Sequence, residues 1–394
     1  MLVGLVGKPN VGKSTFFRAA TLAQVATGNY PFVTIKPNHG TAYVKTDCAS
    51  TFFNVTPTPR EGYVIDGKRF VPIELMDVAG LVPGAHSGQG MGNAFLDDLR
   101  QADVLIHIID ISGSTNEKGE PVPVGSYDPA NDIRFLETEL DMWYLGIIQK
   151  GWDKFARTVQ QTKGDIAKAI AKQLSGLKVT EEDVEQAIST FSKQDPTAWE
   201  QSDLQILAKK LREKTKPIII GANRIDIAIA KENLEKIQKE FPHYTIFGCS
   251  AESEVALREA SRQQLIEYTP GESTFTIKTQ VTEKQKHALN FIEKLLSDWK
   301  TTGVQQILDK AVFDVLDYMP IFPGGAKKLE DSQGRVLPDC FLLKRGSTAL
   351  DFAYKIHTDL GKRFIRAIDV KKKLTIGKDH ILQDGDVIEI ISDA

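Results

Sequence analysis

Cysteine is scarce: Cys48, Cys249 and Cys340 are the only three in 394 residues, far apart and at no metal-ligand spacing. That excludes a disulfide framework and a cysteine metal cluster, and fits thiols kept reduced inside a cell. Long hydrophobic runs are missing too, since no stretch of about 18 apolar residues occurs that could cross a bilayer. No basic segment leads into an apolar core at the start; Leu2 to Val6 is too short for a secretory leader and reads as a strand. The expectation is a cytoplasmic protein with no membrane partner. Neither sign of charge dominates, for the net charge is −3, so any nucleic-acid contact must come from a local basic patch. Internal repeats and low-complexity tracts are absent. What is present is a globular composition, 41% hydrophobic and 26% charged, in a chain too long for one core.

Short apolar runs recur, each closing on a glycine-rich or polar loop: LVGLVG at the start, VPIELMD at 71 to 77, VLIHIID at 104 to 110, PIIIGAN at 217 to 223 and YTIFGCSA at 244 to 251. Their alternation with helical segments predicts buried parallel strands of a doubly wound α/β sheet, a fold whose ligands sit at the strand C-terminal ends. Between 126 and 213 the period turns helical, with Ile133, Leu136, Leu140, Trp143 and Ile147 at three-and-four spacing, and Thr180 with Asp183 forming a candidate capping box. This reads as an all-helical insertion in which Trp143, Trp152 and Trp199 are packing anchors. The expected divisions are 1–125 and 214–317 for the two parts of the sheet domain, the second with a helical extension, 126–213 for the insertion and 318–394 for a tail. Strand-like runs around one helical segment, TALDFAYKIHTDLG, describe that tail as a small β-grasp (ubiquitin-like) unit.

Residues 7 to 14, GKPNVGKS, fit G-x-x-x-x-G-K-[ST] between a strand and a helix, the context this phosphate-binding loop requires. Glycines let successive N–H groups face one anion, and the helix that follows presents its positive end there. The candidate cradle is Gly7, Pro9, Asn10, Val11, Gly12, Lys13, Ser14 and Thr15, with Lys13 reaching the β and γ phosphates and Ser14 a magnesium ion. Alone, such a loop serves kinases, motor ATPases and GTPase switches alike.

Four further elements narrow the choice. Asp77 and Gly80 form D-x-x-G at a strand end, where Asp77 would hold magnesium and the Gly80 amide would meet the γ-phosphate. ANRID at 222 to 226 resembles the N-K-x-D element of GTPases, with Arg224 in place of lysine. Asp226 can accept from guanine N1–H and the 2-amino group, whereas adenine offers a lone pair and no amine; such a site can reject the wrong base by about 10⁴ or more. Ser250 and Ala251, in CSAES, match the loop whose N–H groups contact guanine O6. Thr34, in NYPFVTIKPNHG, is the candidate for the threonine that senses magnesium and γ-phosphate.

NYPFVTIKPN, DVAGLVPGAHSGQGMGNAFL and GKPNVGKST together resemble the Obg-related GTPases, and their YchF-type branch in particular. The tail, through GSTALDFAYKIHTDLGKRF and LQDGDVIEII, is similar to a TGS domain. The resemblance implies a P-loop G domain, magnesium-dependent hydrolysis of GTP to GDP and phosphate, and a switch linked to ribosome or RNA. Some members of the branch have lost the guanine element and prefer ATP; Asn223 and Asp226 are retained here, so GTP is expected. An ATP-preferring ATPase of the same family is the alternative, and a small-molecule kinase a weaker one, since it needs no such set of guanine elements.

Leu81 stands where many switches place a water-orienting glutamine, so charge and water orientation must come from elsewhere, and an arginine supplied in trans is one candidate. Asn10 matches the P-loop asparagine that ligates potassium in cation-dependent GTPases, and His86 is a second candidate, on a loop whose Gly80, Gly84, Gly88, Gly90 and Gly92 suit ordering by γ-phosphate. Lys13, Thr34, Gly80 and Asn10 are thus the expected hydrolytic set. In the tail, Lys362, Arg363, Arg366, Lys371, Lys372 and Lys373 cluster against Asp369 alone and form a candidate RNA contact.

Overall fold

The computed structural model describes residues 1–22, 39–78, 98–193 and 195–393. Its strands are β1 (Leu2–Val6), β2 (His39–Asp47), β3 (Tyr63–Ile65), β4 (Lys68–Asp77), β5 (Val104–Asp110), β6 (Ile218–Asn223), β7 (Thr245–Cys249), β8 (Ile266–Glu267), β9 (Thr276–Ile277), β10 (Tyr318–Pro323), β11 (Phe341–Lys344), β12 (Phe364–Asp369), β13 (Leu374–Ile376) and β14 (Val387–Ser392). Two compact units form, one from Met1–Phe17 with Leu75–Ala251 and one from Arg18–Glu74 with Glu252–Ala394.

In the first unit β1, β5, β6 and β7 run parallel in that order. Every residue of β1, β5 and β6 is buried, as expected for apolar runs covered on both faces. Register decides what meets at the C-terminal edge: Asp110 pairs with Asn223, and Asn223 with Cys249. The last strand residues therefore stand in one row beside the turn that follows β1.

The helical insertion belongs to this unit. Helix Ala130–Gln149 lies against helix Gln201–Thr215, where the buried Arg212 bonds Asp141 at 2.8 Å and Tyr144 bonds Thr215 at 2.7 Å. Its buried stripe passes from Leu140 through Tyr144 to Ile148; Ile147 is only half-buried, because the true period drifts one position from the expected spacing. Trp152 and Trp199 stack at 5.5 Å, and Thr180 and Asp183 make the reciprocal capping box.

In the second unit β2 and β3 flank β4. The buried Arg69 donates to the carbonyls of Glu61 and Pro338. Strands β11-β10-β14-β12-β13 form a five-stranded sheet around Met319, Ile321, Phe352, Ala367 and Ile388. The single expected tail helix is two, Ala349–Ile356 and Thr358–Lys362, since His357 is extended at φ −161° and its Nδ1 accepts from the Asp359 N–H. The short pair β8 and β9 was not anticipated from the sequence.

One strand residue carries a pH consequence. His107, on β5, is fully buried, and burial followed by the nearby Lys13 and Lys8 charges pushes its pKa down to about 3. A histidine harder to protonate when folded favours folding fully above about pH 6.5, and that contribution is lost as pH falls toward 3. The His107→Leu variant should lessen the acid loss of stability between pH 6.5 and 3.5 by up to about 4 kcal/mol, read by denaturant titration. Parallel pH curves for variant and parent would rule this out.

Candidate nucleotide site

The turn after β1 is shaped by two glycines. Gly7 has φ +145° and Gly12 φ +97°; a Cβ would lie 2.4 Å from the Ile108 carbonyl at the first and 2.2 Å from Asn223 Nδ2 at the second. Neither position tolerates a side chain, in conformation or in space. Helix Lys13–Thr21 opens directly after, with Phe16 N–H donating to the Gly12 carbonyl at 2.9 Å, so Lys13, Ser14 and Thr15 form its first turn.

Lys13 is buried, and its Nζ donates to the Lys8 carbonyl at 3.0 Å. Burial holds its pKa below the usual lysine value, with Asp77 acting the other way. An ammonium kept dry, with one hydrogen-bonding carbonyl among the described residues, would gain from an arriving anion. Ser14 Oγ donates to Asp77 Oδ2 at 2.8 Å, while Asp77 Oδ1 is buried and accepts no hydrogen bond among the described residues. A hydroxyl and a carboxylate with an unmet oxygen are the hard donors magnesium takes. These residues fit that ion.

The other end is built by Asn223. Its Nδ2 donates to the Val11 carbonyl at 2.8 Å and its Oδ1 accepts from the Ala251 N–H at 3.1 Å. It therefore ties three turns together, and the Ala251 amide, expected for guanine O6, is engaged with it in this structure. Asp226 lies exposed three residues on, in a turn closed by Ile227 N–H to the Arg224 carbonyl at 3.2 Å. Arg224 has a left-handed φ of +73°, and its guanidinium bonds Asp110 at 3.0 Å and the Asn10 carbonyl at 2.9 Å. Such a backbone costs a non-glycine residue about 1 kcal/mol or more, which those bonds offset.

Residues 2–133 match a family described as 50S ribosome-binding GTPase, 221–324 one described as Obg-like GTPase YGR210-like, G4 motif-containing domain, and 327–392 the TGS domain. A GTP-binding protein of Methanocaldococcus jannaschii is 48% identical over 394 residues, covering 100% of this chain and 99% of the relative. This chain belongs to the YchF-type branch of the Obg-related GTPases. The YchF-type ribosome-binding ATPase of Bacillus subtilis is 29% identical over 98% of each chain. A crystal structure of a GTP binding protein from Pyrococcus horikoshii superposes with a TM-score of 0.80 at 38% identity, covering 100% of both chains.

Of the residues expected in this YchF-type site, the structure brings Gly7, Gly12, Lys13, Ser14, Asp77, Asn223 and Ala251 together by the contacts above. Pro9 and Asn10 border the loop 111–127: a Cβ on Gly119 would lie 2.4 Å from the Pro9 carbonyl, and Asn10 Nδ2 donates to the Gly119 carbonyl at 3.0 Å. Ser250 is buried behind Ala251. Thr34, Gly80, Leu81 and His86 lie outside the described residues. Missed by the sequence reading were Lys8, Asp110 and Asp132. Lys8 Nζ donates to the Thr115 carbonyl at 2.9 Å, pairs with buried Asp132 at 2.9 Å and sits 3.9 Å from the Tyr127 ring centre, bracing the loop from behind. The usable signal was the serine and threonine cluster of DISGST directly after a strand.

The tail patch needs correction. Lys371 Nζ donates to the Gly385 carbonyl at 2.6 Å, and Lys372 pairs with Asp369 at 2.8 Å and Asp386 at 3.2 Å. Asp386 is remote in sequence, so spacing alone hid it. Lys362, Arg363, Arg366 and Lys373 remain exposed.

Because burial lowers the Lys13 pKa, Lys13→Met should leave the nucleotide-free protein as stable as the parent or about 1 kcal/mol more so, while GTP affinity is expected to fall at least about 100-fold. Paired thermal melts and calorimetry check it; a variant that both melts lower and still binds GTP would refute it.

Proposed function

We propose that this protein is a magnesium-dependent GTPase, slow on its own, that serves as a regulatory switch at the ribosome. The observation that carries the base assignment is Asn223, bonded at once to Val11 and Ala251, with Asp226 exposed beside it as an acceptor for guanine N1–H and the 2-amino group. Adenine would face the carboxylate with a lone pair, which repels it. The second reading, an ATP-preferring hydrolase, draws on the name of the Bacillus subtilis relative, a ribosome-binding ATPase.

Lys13 would bind the β and γ phosphates, and Ser14, Asp77 and Thr34 would hold magnesium, which when bound neutralises charge on those phosphates. In hydrolysis a water oxygen bonds the γ-phosphorus as the bond to the β–γ bridging oxygen breaks, giving GDP and phosphate. Leu81 carries no group to orient that water, so the charge that stabilises the transition state has to come from another source. Asn10 supports potassium in that place: its Nδ2 is committed to Gly119, which turns Oδ1 into its remaining ligand atom.

Titration with GTP and ATP should show GTP binding at least about tenfold more tightly, and GTP turnover should rise in potassium over sodium buffer. Tighter ATP binding would overturn the base assignment, and equal turnover in the two salts would remove potassium.

The ribosome link draws on that same relative's name and on the exposed Lys362, Arg363, Arg366 and Lys373. Reversing these four charges should weaken ribosome binding and lower the slope of log affinity against log salt by about 0.7 to 0.9 for each phosphate no longer neutralised, and an unchanged isotherm would dismiss the patch.

A further inference from the structure

Asp110 ends β5 with its side chain wholly buried. Its carboxylate accepts from the Ser112 N–H at 3.1 Å, from Ser112 Oγ, from Ser114 Oγ at 2.8 Å, from Thr115 Oγ1 at 2.9 Å and from Arg224 Nη1 at 3.0 Å. Neutral hydroxyls satisfy lone pairs but leave the buried charge uncompensated; Arg224 supplies the countercharge. The same guanidinium bonds Ser114 Oγ and, through Nη2, the Asn10 carbonyl. One planar fork thus fastens the base-recognition turn to the end of β5 and to the phosphate loop. A lysine, with its single nitrogen, could not span these three acceptors.

We propose that Asp110 is a positioning residue for the purine site: by clamping Arg224 it holds the turn that presents Asp226, and so sets the preference for guanine over adenine nucleotides. The inference rests on the guanine reading given above. The left-handed backbone of Arg224 is the hinge of that turn, and its carbonyl accepts the Ile227 N–H that closes it. The phosphate loop keeps a brace outside the clamp in the buried pair of Lys8 with Asp132, although the Thr115 carbonyl that Lys8 also bonds belongs to a residue whose hydroxyl Asp110 holds. Loosening the clamp therefore acts first on the bonds unique to guanine, and only afterwards on the phosphate contacts that GTP and ATP share.

The test uses the full chain, its Asp110→Asn and Arg224→Lys variants and the double variant, titrated by calorimetry with the β,γ-imido analogues of GTP and ATP in magnesium buffer. Each single variant should lose about tenfold or more of the preference for the GTP analogue while its ATP-analogue affinity stays within about threefold of the parent, and the double variant should lose no more than the worse single one. An unchanged preference, equal weakening of both analogues or additive losses would overturn the proposal. Should buried Asp110→Asn fail to fold, the partly exposed Arg224→Lys decides by the same ratio. A parent that favours the ATP analogue would sink the guanine assignment, and this inference with it, before any variant is read.

Discussion

The side-chain amide of Asn223 holds the site together. One end donates to the phosphate loop at Val11 and the other accepts from the turn after β7 at Ala251. The loop must come so close that position 12 has no room for a Cβ, and the strand register must carry β6 to the same level as β5 and β7. Parallel strands with buried faces make that register rigid, since a slip of one residue would turn every side chain to the opposite face. The phosphate end and the base end are therefore not independent: the buried amide, with the Arg224 guanidinium on the Asn10 carbonyl, ties one to the other.

Around this bridge the site stores unfavourable electrostatics that a nucleotide would relieve. Lys13 is dry and its pKa depressed, Asp77 keeps a buried oxygen without a partner among the described residues, and the His107 pKa is lowered by burial and then by the Lys13 and Lys8 charges. Asp132 is pushed up to about 6 by burial even though Lys8 opposes the shift. A core built for stability alone would replace these groups with apolar ones of similar volume. Their clustering at the strand ends, beside the phosphate-binding sequence motif, is what the proposed nucleotide site would require.

Much of this was legible in the sequence because it is local. The glycine spacing of 7 to 14, the strand before it and the helix after it are short-range signals, and each strand run announced its polar C-terminal end. Asp110 escaped notice because its partner Arg224 is distant in sequence and reaches it only through the β5–β6 register. Lys8 drew no separate reading because its partner Asp132 opens a helix that sequence assigns to the insertion. The tail patch was misjudged for the same reason: charge runs are counted along the chain, while Asp386 reaches Lys372 from a neighbouring part of the tail. The grouping of 18–74 with 252–394 likewise depends on long-range contacts, such as those of Arg69 with Pro338, that no periodicity reveals.

Base choice is where family membership says least. Relatives of this chain carry both names, a GTP-binding protein at 48% identity and an ATPase at 29%, and the triphosphate is common to the two nucleotides. Nothing in the phosphate loop, in Ser14 or in Asp77 can distinguish the two nucleotides, for all of them act on atoms common to both. On the proposed reading, discrimination arises where the bases differ, at position 6, N1 and position 2, and the last two of these fall to Asp226 and whatever keeps that carboxylate in place. A carboxylate on an exposed turn discriminates weakly if the turn can shift, because it then exchanges ligand bonds for water bonds at little cost. Selectivity thus depends on the stiffness of the turn as much as on the identity of the acid, and a guanidinium anchored on a buried charge is a stiffer mount than a lysine in water.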